Sequence, residues 1–325
     1  MAHYCIRPEK ESCSWRFTGT AIGTDKLLCN CYSEHKPCEE EEEELWVNRG
    51  DDVEEADFVD FFGDTRENIL APYKKYAKEE IFKRELFKDA SKLSRGELHG
   101  VYENSDYYKI SLDHIHPGRF EYLRNMKLTA HPIYEMCGKY YPNPKDVRVL
   151  DYGGGSWQNG LVLALKGYDV TVADLGHKTF LFNKYLCRKC HIPITSVQCT
   201  NNYNSLRNSV FEKFDYLICA DVLEHVDEPL ELLRALMRMM KDDGIMYLST
   251  FFDDGGDNDP SHLRKNVIKY KNRQMWLGWV IESGLVPITI DVSGVPKGFV
   301  KRSFAEKLTE DNRKITKKDK YETIR

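Results

Sequence analysis

The sequence predicts an α/β fold in which a mostly parallel sheet carries helices on both faces. From Asp146 onward, short apolar runs alternate with segments of helical spacing, a pattern typical of such a sheet. A turn signal at Ser293, followed by Phe299–Val300, predicts a returning antiparallel strand and brings the strand count to seven. The other six predicted strands are Val147–Tyr152, Asp169–Leu175, Ile194–Cys199, Phe214–Cys219, Gly244–Thr250 and Val286–Val292.

The helix after the fourth of these strands follows from its spacing. Pro229 suits the first turn of a helix, because the amide hydrogen that proline lacks has no partner there. Apolar residues then recur every three or four positions, so one helix face can pack on the sheet. These residues are Leu230, Leu233, Leu236, Met237 and Met240. We expect the domain built in this way to span residues 146–303, with a charged tail at 304–325.

Residues 65–145 are predicted to form a helical segment that leads into the sheet and covers the active site. Helical spacing begins after Thr65, and a second helix is expected after Pro117. An aromatic and histidine-rich connection at residues 100–119 joins them and is a candidate lid or substrate wall. Its candidate substrate residues are Tyr107, Tyr108, His114 and His116.

The first 64 residues are predicted to form a small Cys-rich module and an acidic linker, since Glu39–Glu44 is a run of charges that repel one another. Five of the ten cysteines lie in the first 38 residues, which suggests metal binding or redox chemistry more than structural disulfides in a cytosolic protein. Zinc is the expected metal, and an iron–sulfur cluster has no matching spacing. Free or buried thiols remain an open alternative, because the spacing is irregular. The candidate ligands are Cys5, Cys29, Cys31 and Cys38.

Composition limits the partners and the compartment of the 325-residue chain. Hydrophobic residues make up 41% and charged residues 30%, and no apolar stretch is long enough to span a bilayer. The start of the sequence lacks the apolar core of a secretory signal, so we expect a cytoplasmic protein. A net charge of −5 argues against a nucleic-acid partner. A local basic patch nevertheless contains Lys265, Lys269, Lys271 and Arg273.

A glycine-rich stretch, DYGGG, follows the first predicted strand of the sheet and begins at Asp151. In an open α/β sheet, ligands bind beyond the carboxyl ends of the strands, where a glycine-rich turn exposes backbone amides. Asp174 ends the second strand about twenty residues later, where a carboxylate can accept both hydroxyl protons of a ribose. The loop, the strand and the acid together predict a nucleoside site.

The chain resembles the class I S-adenosylmethionine-dependent methyltransferases in three segments, VRVLDYGGGSW, YDVTVADLG and FDYLICADVLEHVDEPLELLRALMRMMKDDGIMYLST. The resemblance runs from Asp146 to near Arg302, about half of the chain, and includes the final β-hairpin. It implies a Rossmann-like seven-stranded sheet, S-adenosylmethionine as the cofactor and S-adenosylhomocysteine as its product.

The resemblance also implies roles for the loop. Asp151, Gly153 and Gly155 would form the cofactor loop, and Asp174 would hold the ribose. Trp157 stands where the family usually has a third glycine. We expect its ring to stack on the cofactor or to close the pocket, and a filled methionine site would make the domain inactive.

Further implied cofactor residues follow the second, third and fourth strands. Leu175 would flank the adenine, and Asn201 or Asn202 would accept a hydrogen bond from its amino group. Asp221 and Val222 would border the methionine part and the methyl-transfer face.

The chemistry requires an aligned nucleophile and, for a hydroxyl or protonated amine, a base. His262 and His225 are the competing candidates, because the unperturbed pKa of histidine is near neutral. We expect a small-molecule acceptor with an oxygen, nitrogen or carbon nucleophile. The alternatives are an inactive methyltransferase-like binding subunit and a nucleic-acid or protein methyltransferase.

Overall fold

The computed structural model describes residues 3–5, 19–20, 27–29, 61–63, 65, 93–104, 132–189, 191–200, 213–250, 262–270, 273–290, 296–307 and 309. The strands are β1 (His3–Cys5), β2 (Gly19–Thr20), β3 (Leu27–Cys29), β4 (Arg148–Tyr152), β5 (Asp169–Leu175), β6 (Ile194–Cys199), β7 (Phe214–Ala220), β8 (Met240–Ser249), β9 (Leu285–Ile290) and β10 (Pro296–Lys301). The α-helices are α1 (Arg95–Asn104), α2 (132–140), α3 (Gln158–Leu165), α4 (Lys178–Lys189), α5 (Pro229–Met239), α6 (Arg264–Tyr270), α7 (Arg273–Glu282) and α8 (302–307). Single 3₁₀ turns occupy Pro144–Asp146 and Leu223–His225.

Seven of the described strands form one sheet in the order β6-β5-β4-β7-β8-β10-β9. The first five pair in parallel, and β10 runs antiparallel between β8 and β9. The predicted seven-stranded sheet with a returning antiparallel strand is therefore confirmed. Strand β8 starts earlier than the predicted Gly244, because Met240 already pairs with Phe214 and is fully buried there.

Successive residues of the central strands bury their side chains on opposite faces of the sheet, as strand geometry requires. In β4, Val149 belongs to the core of one face and Leu150 to the core of the other. Helix α5 covers the second face with Leu232, Leu233 and Leu236. It begins at Pro229, as predicted. Helices α2, α3 and α4 cover the first face, so the sheet is covered by helices on both sides.

The core of the first face includes residues on both sides of the predicted boundaries of the domain. Helix α2 contributes Ile133, whose carbonyl accepts a hydrogen bond from the Tyr216 hydroxyl at 2.9 Å. Phe304, in α8, packs against the same core. The domain boundaries at residues 146 and 303 stay predictions. The contacts show that residues just outside both boundaries pack on the core of the sheet.

Helix α1 begins with a capping box at Ser94 and Glu97. The Ser94 amide and hydroxyl both donate to Glu97 Oε2, at 2.8 and 2.6 Å, and the Glu97 amide points back to Ser94 Oγ at 3.4 Å. This arrangement satisfies amides that have no partner inside the helix. The helix then continues to Asn104, so residues 100–104 are helical although they were predicted to belong to the connection.

In the N-terminal 64 residues, the described backbone includes a three-stranded antiparallel sheet in the order β1-β3-β2. Its register places His3 opposite Cys29 and Cys5 opposite Leu27. Within the described parts of the chain, none of the helices combines the length and the apolar character that crossing a membrane requires.

Candidate functional site

The glycine loop, residues 151–160, connects β4 to α3 at the carboxyl edge of the sheet. Gly153 has φ +70°, and a Cβ atom at this position would overlap the side chain of Val222. Its amide donates to the Ala173 carbonyl at 2.8 Å, which ties the loop to the neighbouring strand β5. Gly155 has φ +53°, and an added Cβ would meet nothing within 4 Å. The loop is therefore packed at Gly153 and faces open space at Gly155.

Asp151 holds the two ends of the glycine loop together. Its carboxylate is 1% exposed and accepts a hydrogen bond from the Gly160 amide, at the start of α3, at 2.9 Å. Burial raises its pKa to about 7, against the lowering effect of the Gly160 hydrogen bond, and the charge of Asp174 adds to the rise. Asp151 thus shapes the loop through backbone contacts.

Asp174 lies at the end of β5, beside the exposed part of the loop. Its Oδ2 atom accepts from the Gly155 amide and its Oδ1 atom from the Leu175 amide, both at 2.7 Å. Burial, the largest single influence, opposes ionisation, but His177 and the two amides outweigh it and lower the pKa of Asp174. Each carboxylate oxygen has two lone pairs, so an ionised Asp174 can still accept hydroxyl protons from a ligand.

His177, which sequence analysis missed, supports this carboxylate. Its Nδ1 atom accepts the Phe180 amide at 2.9 Å and so caps the start of α4. The ring proton of a neutral His177 therefore lies on Nε2, which is 3.5 Å from Asp174 Oδ2. A histidine three residues after the ribose acid and directly before a helix was the signal available in the sequence.

Trp157 lies in the core and not against a ligand crevice. Its ring is 0% exposed and packs edge-to-face on Phe180, with centroids 5.3 Å apart. The residue has φ +61° and stands immediately before α3. Where the family resemblance led us to expect a ring that stacks on the cofactor or closes the pocket, the structure has a ring buried against Phe180, which anchors the loop in the core.

The histidine turn, Asp221–Val226, follows β7 at the same edge of the sheet. Asp221 has φ +57°, a conformation that costs a residue with a Cβ atom roughly 1–2 kcal/mol. Two hydrogen bonds to the end of β8 hold it, because its amide donates to the Ser249 carbonyl at 3.1 Å and Oδ1 accepts the Ser249 hydroxyl at 2.8 Å. Val222 then packs against Gly153, so the glycine loop and the histidine turn are in contact.

The two candidate bases come together at this turn. The rings of His225 and His262 meet edge-to-face with centroids 4.8 Å apart. Glu224, which is 0% exposed, lies beside them, and one ligand atom from each of the three residues lies within 4.8 Å of the others. Tyr102 in α1 reaches His225 from the lead-in segment, with its hydroxyl 3.3 Å from Nδ1. Sequence analysis missed Glu224 and Tyr102, although Glu224 lies in the third segment of the family resemblance.

Several predicted site residues are not among the described side chains. Leu175 is described and is half-buried at the end of β5. The backbone of Cys5 and Cys29 is described within β1 and β3. The predicted residues outside the described ranges are Asn201, Asn202, Tyr107, Tyr108, His114, His116, Cys31 and Cys38.

Comparison with known proteins identifies the family. A family model described as a methyltransferase domain matches residues 122–289, just over half of the chain. The chain belongs to this methyltransferase family. The sheet order, the glycine loop and the acid at the end of β5 are those expected of its class I, S-adenosylmethionine-dependent members.

Curated relatives of the methyltransferase domain include two bacterial enzymes. The ubiquinone biosynthesis O-methyltransferase of Pseudomonas putida (strain W619) is 31% identical over 103 residues, which are 32% of this chain and 44% of the relative. That of Aliivibrio fischeri (strain MJ11) is 29% identical over 103 residues, 32% of this chain and 43% of the relative. The chain thus spans less than half the length of these relatives.

Solved structures similar to this chain include two further methyltransferases. The plantazolicin methyltransferase BamL, in complex with a triazolic desmethylPZN analog and SAH, is 12% identical, with a TM-score of 0.46 over 69% of this chain and 100% of that chain. Coclaurine N-methyltransferase, bound to N-methylheliamine and SAH, is 17% identical, with a TM-score of 0.31 over 37% of this chain and 34% of that chain.

Proposed function

We propose that this chain transfers the methyl group of S-adenosylmethionine to a nucleophile of a small-molecule acceptor. Oxygen, nitrogen and carbon nucleophiles are all compatible with the domain, and the names of the curated relatives favour oxygen. The observation that carries the proposal is the position of Asp174, an ionised carboxylate held by Gly155 at the open edge of a glycine loop.

The residues at this edge fit the cofactor by their chemistry. Asp174 would accept the ribose hydroxyls, and His177 would keep the carboxylate in place. Gly155 offers backbone next to open space, where a ligand can approach closely. Leu175 and Asn201 or Asn202 are proposed for the adenine, and Asp221 and Val222 for the methionine part.

S-adenosylmethionine supplies an activated methyl group on a sulfonium, so the protein mainly aligns the acceptor and excludes water. A hydroxyl acceptor must also lose a proton. His262 and His225 are proposed to take part in that step, because they meet at the carboxyl end of β7. Tyr107, Tyr108, His114 and His116 are proposed for the acceptor pocket.

The burial of Trp157 favours the enzyme over the inactive binding subunit. An inactive domain was the alternative because a ring at this position could fill the methionine site. The ring instead packs on Phe180 inside the core, which removes that specific objection.

A structural zinc ion in the N-terminal module remains a separate proposal. Cys5, Cys29, Cys31 and Cys38 are the proposed ligands, and the register of β1 and β3 allows His3 as an alternative ligand beside Cys29. Metal analysis of the purified wild type and of the four-cysteine-to-serine variant tests it, because the variant should contain one zinc ion per chain fewer than the wild type.

Titration calorimetry with S-adenosylmethionine tests the cofactor site. Asp174→Ala should weaken binding roughly a hundredfold, since it removes charge-assisted hydrogen bonds to the ribose. Asp174→Asn should fall between it and the wild type. Asp169→Ala, at the opposite and exposed end of β5, is the matched control and should bind as the wild type does. A folded wild type that does not bind S-adenosylmethionine would contradict the proposed function.

A further inference from the structure

At the histidine turn, side chains from two segments form a metal-ligating set that methyl transfer does not by itself require. Glu224, His225 and His262 supply one carboxylate and two imidazoles, and one ligand atom of each lies within 4.8 Å of the others. Two histidines and one carboxylate are a ligand set for divalent transition metals that leaves coordination positions open. We propose that these three residues bind one divalent cation, and that this ion holds an oxygen atom of the methyl acceptor.

The backbone brings the two segments together before any ion binds. The Leu263 amide donates to the Glu224 carbonyl at 2.9 Å, so His262 and Glu224 are held next to each other. The Asn266 side-chain amide donates to the Val226 carbonyl, and Lys265 forms an ion pair with Asp227. Because these contacts already hold the two segments together, a bound ion would have to order little more than the three side chains.

Tyr102 orients one of the two imidazoles. Its hydroxyl is 3.3 Å from His225 Nδ1 and can accept a hydrogen bond from it. A proton on Nδ1 leaves the Nε2 lone pair of a neutral His225 available to a metal, and such outer partners are typical of histidine ligands. Leu98 of α1 and Leu263 pack in one small core, which keeps Tyr102 near the turn.

The distances are close to those of a bound site. Ligand atoms around a tetrahedral or octahedral ion lie roughly 3–3.5 Å apart when the metal–ligand bonds are about 2.1 Å. The three ligand atoms lie within 4.8 Å of one another, so side-chain shifts of an ångström or so would bring them to that spacing.

This part of the inference rests on the proposed function. The ion narrows the class of methyl acceptor that the chain would take. Three protein ligands leave up to three adjacent positions of an octahedral ion, enough for two neighbouring oxygen atoms of one acceptor. A hydroxyl bound to a dication loses its proton to solvent more readily. The oxygen–carbon bond to the methyl group then forms as the sulfur–carbon bond breaks, and the electron pair of that bond stays on sulfur. In this arrangement the two histidines take part in the loss of the proton as ligands of the ion.

Binding of Mn²⁺ to the 325-residue chain, measured by the loss of the free-ion electron paramagnetic resonance signal, tests the site directly. Mn²⁺ prefers carboxylate and imidazole to thiolate, which separates this site from the cysteine module. The wild type should bind one equivalent, and Glu224→Gln and His262→Asn should each weaken binding at least about tenfold. Tyr102→Phe should weaken it less.

Two controls decide between sites. His191→Asn removes an exposed histidine at a left-handed backbone position that asparagine tolerates, and it should leave Mn²⁺ binding unchanged. The four-cysteine-to-serine variant should also bind Mn²⁺ as the wild type does. Binding that persists in Glu224→Gln and His262→Asn, or that disappears in the cysteine variant, would overturn the assignment.

Calorimetry with S-adenosylmethionine on the same samples separates this inference from the proposed function. A wild type that binds S-adenosylmethionine but no Mn²⁺ would overturn the metal site and leave the methyltransferase proposal standing. A wild type that binds Mn²⁺ with the expected variant pattern but no S-adenosylmethionine would support the metal site and overturn the proposed function.

Discussion

The glycine loop and the histidine turn lie at the same edge of one sheet, yet they are held in different ways. In the glycine loop, Asp151 and Asp174 each accept backbone amides from residues within twenty positions in the chain. In the histidine turn, Glu224 and His225 meet His262, which belongs to a segment after the next strand, and Tyr102, which lies more than a hundred residues earlier.

This difference explains why the two regions differed in how well they could be predicted. The contacts that hold the glycine loop join residues that are close in the chain, so a short sequence signature specifies its geometry. The acid, the glycines and the second acid could therefore be recognised together. The residues of the histidine turn also lie in a family segment, but the cluster there is completed by distant side chains that no local signature includes. Its chemistry depends on which segments the fold brings to the edge, and the following predictions test that comparison.

The largest effect is expected from Trp157→Gly, which restores the glycine usual in the family. The variant should lose about 3 kcal/mol of unfolding free energy in urea, because removal of a fully buried ring outweighs relief of the left-handed backbone. Trp157→Phe is the control. It keeps an aromatic ring against Phe180 and removes an indole Nε1–H without a hydrogen-bond partner among the described residues. A glycine variant as stable as the wild type would show that the ring is not an anchor.

A smaller effect is expected from Gly153→Ala, which tests the contact between the two regions. A methyl group there both overlaps Val222 and occupies a backbone conformation with φ +70°, so the loss should be about 2 kcal/mol. Val222→Ala in the same chain should recover the steric part but not the backbone part. The unfolding free energies of the single and double variants measure this coupling. Strictly additive losses would mean that the loop and the turn do not press on each other.

The smallest effect is expected from Asp151→Asn, and it depends on pH. The folded-state pKa of about 7 lies above the ordinary value, so the folded protein binds more protons than the unfolded chain between about pH 4 and 7. Stability from this group is therefore present at low pH and lost as pH rises through 7. Asparagine does not titrate and can still accept the Gly160 amide. The variant should gain on the order of 1 kcal/mol relative to the wild type between pH 6 and 8, measured by urea unfolding, and a constant difference would contradict this.

Particular residues show where prediction from the sequence ended. The strands and helix α5 followed from hydrophobic periodicity and from Pro229, because local patterns determine which faces are buried. The direction of the Trp157 ring could not be predicted, since it depends on Phe180 from the next helix. His177 had a local signal that went unused, whereas Tyr102 had none, because its partner is 123 residues away.

The sequence by itself determined the sheet, its family and the glycine loop, because alternating apolar runs and a short acid–glycine signature specify their contacts locally. Only the tertiary structure decided that Trp157 anchors the core and that Glu224, His225 and His262 form one cluster. Those outcomes depend on long-range packing between segments, and side chains from separate segments become neighbours only when the whole sheet assembles.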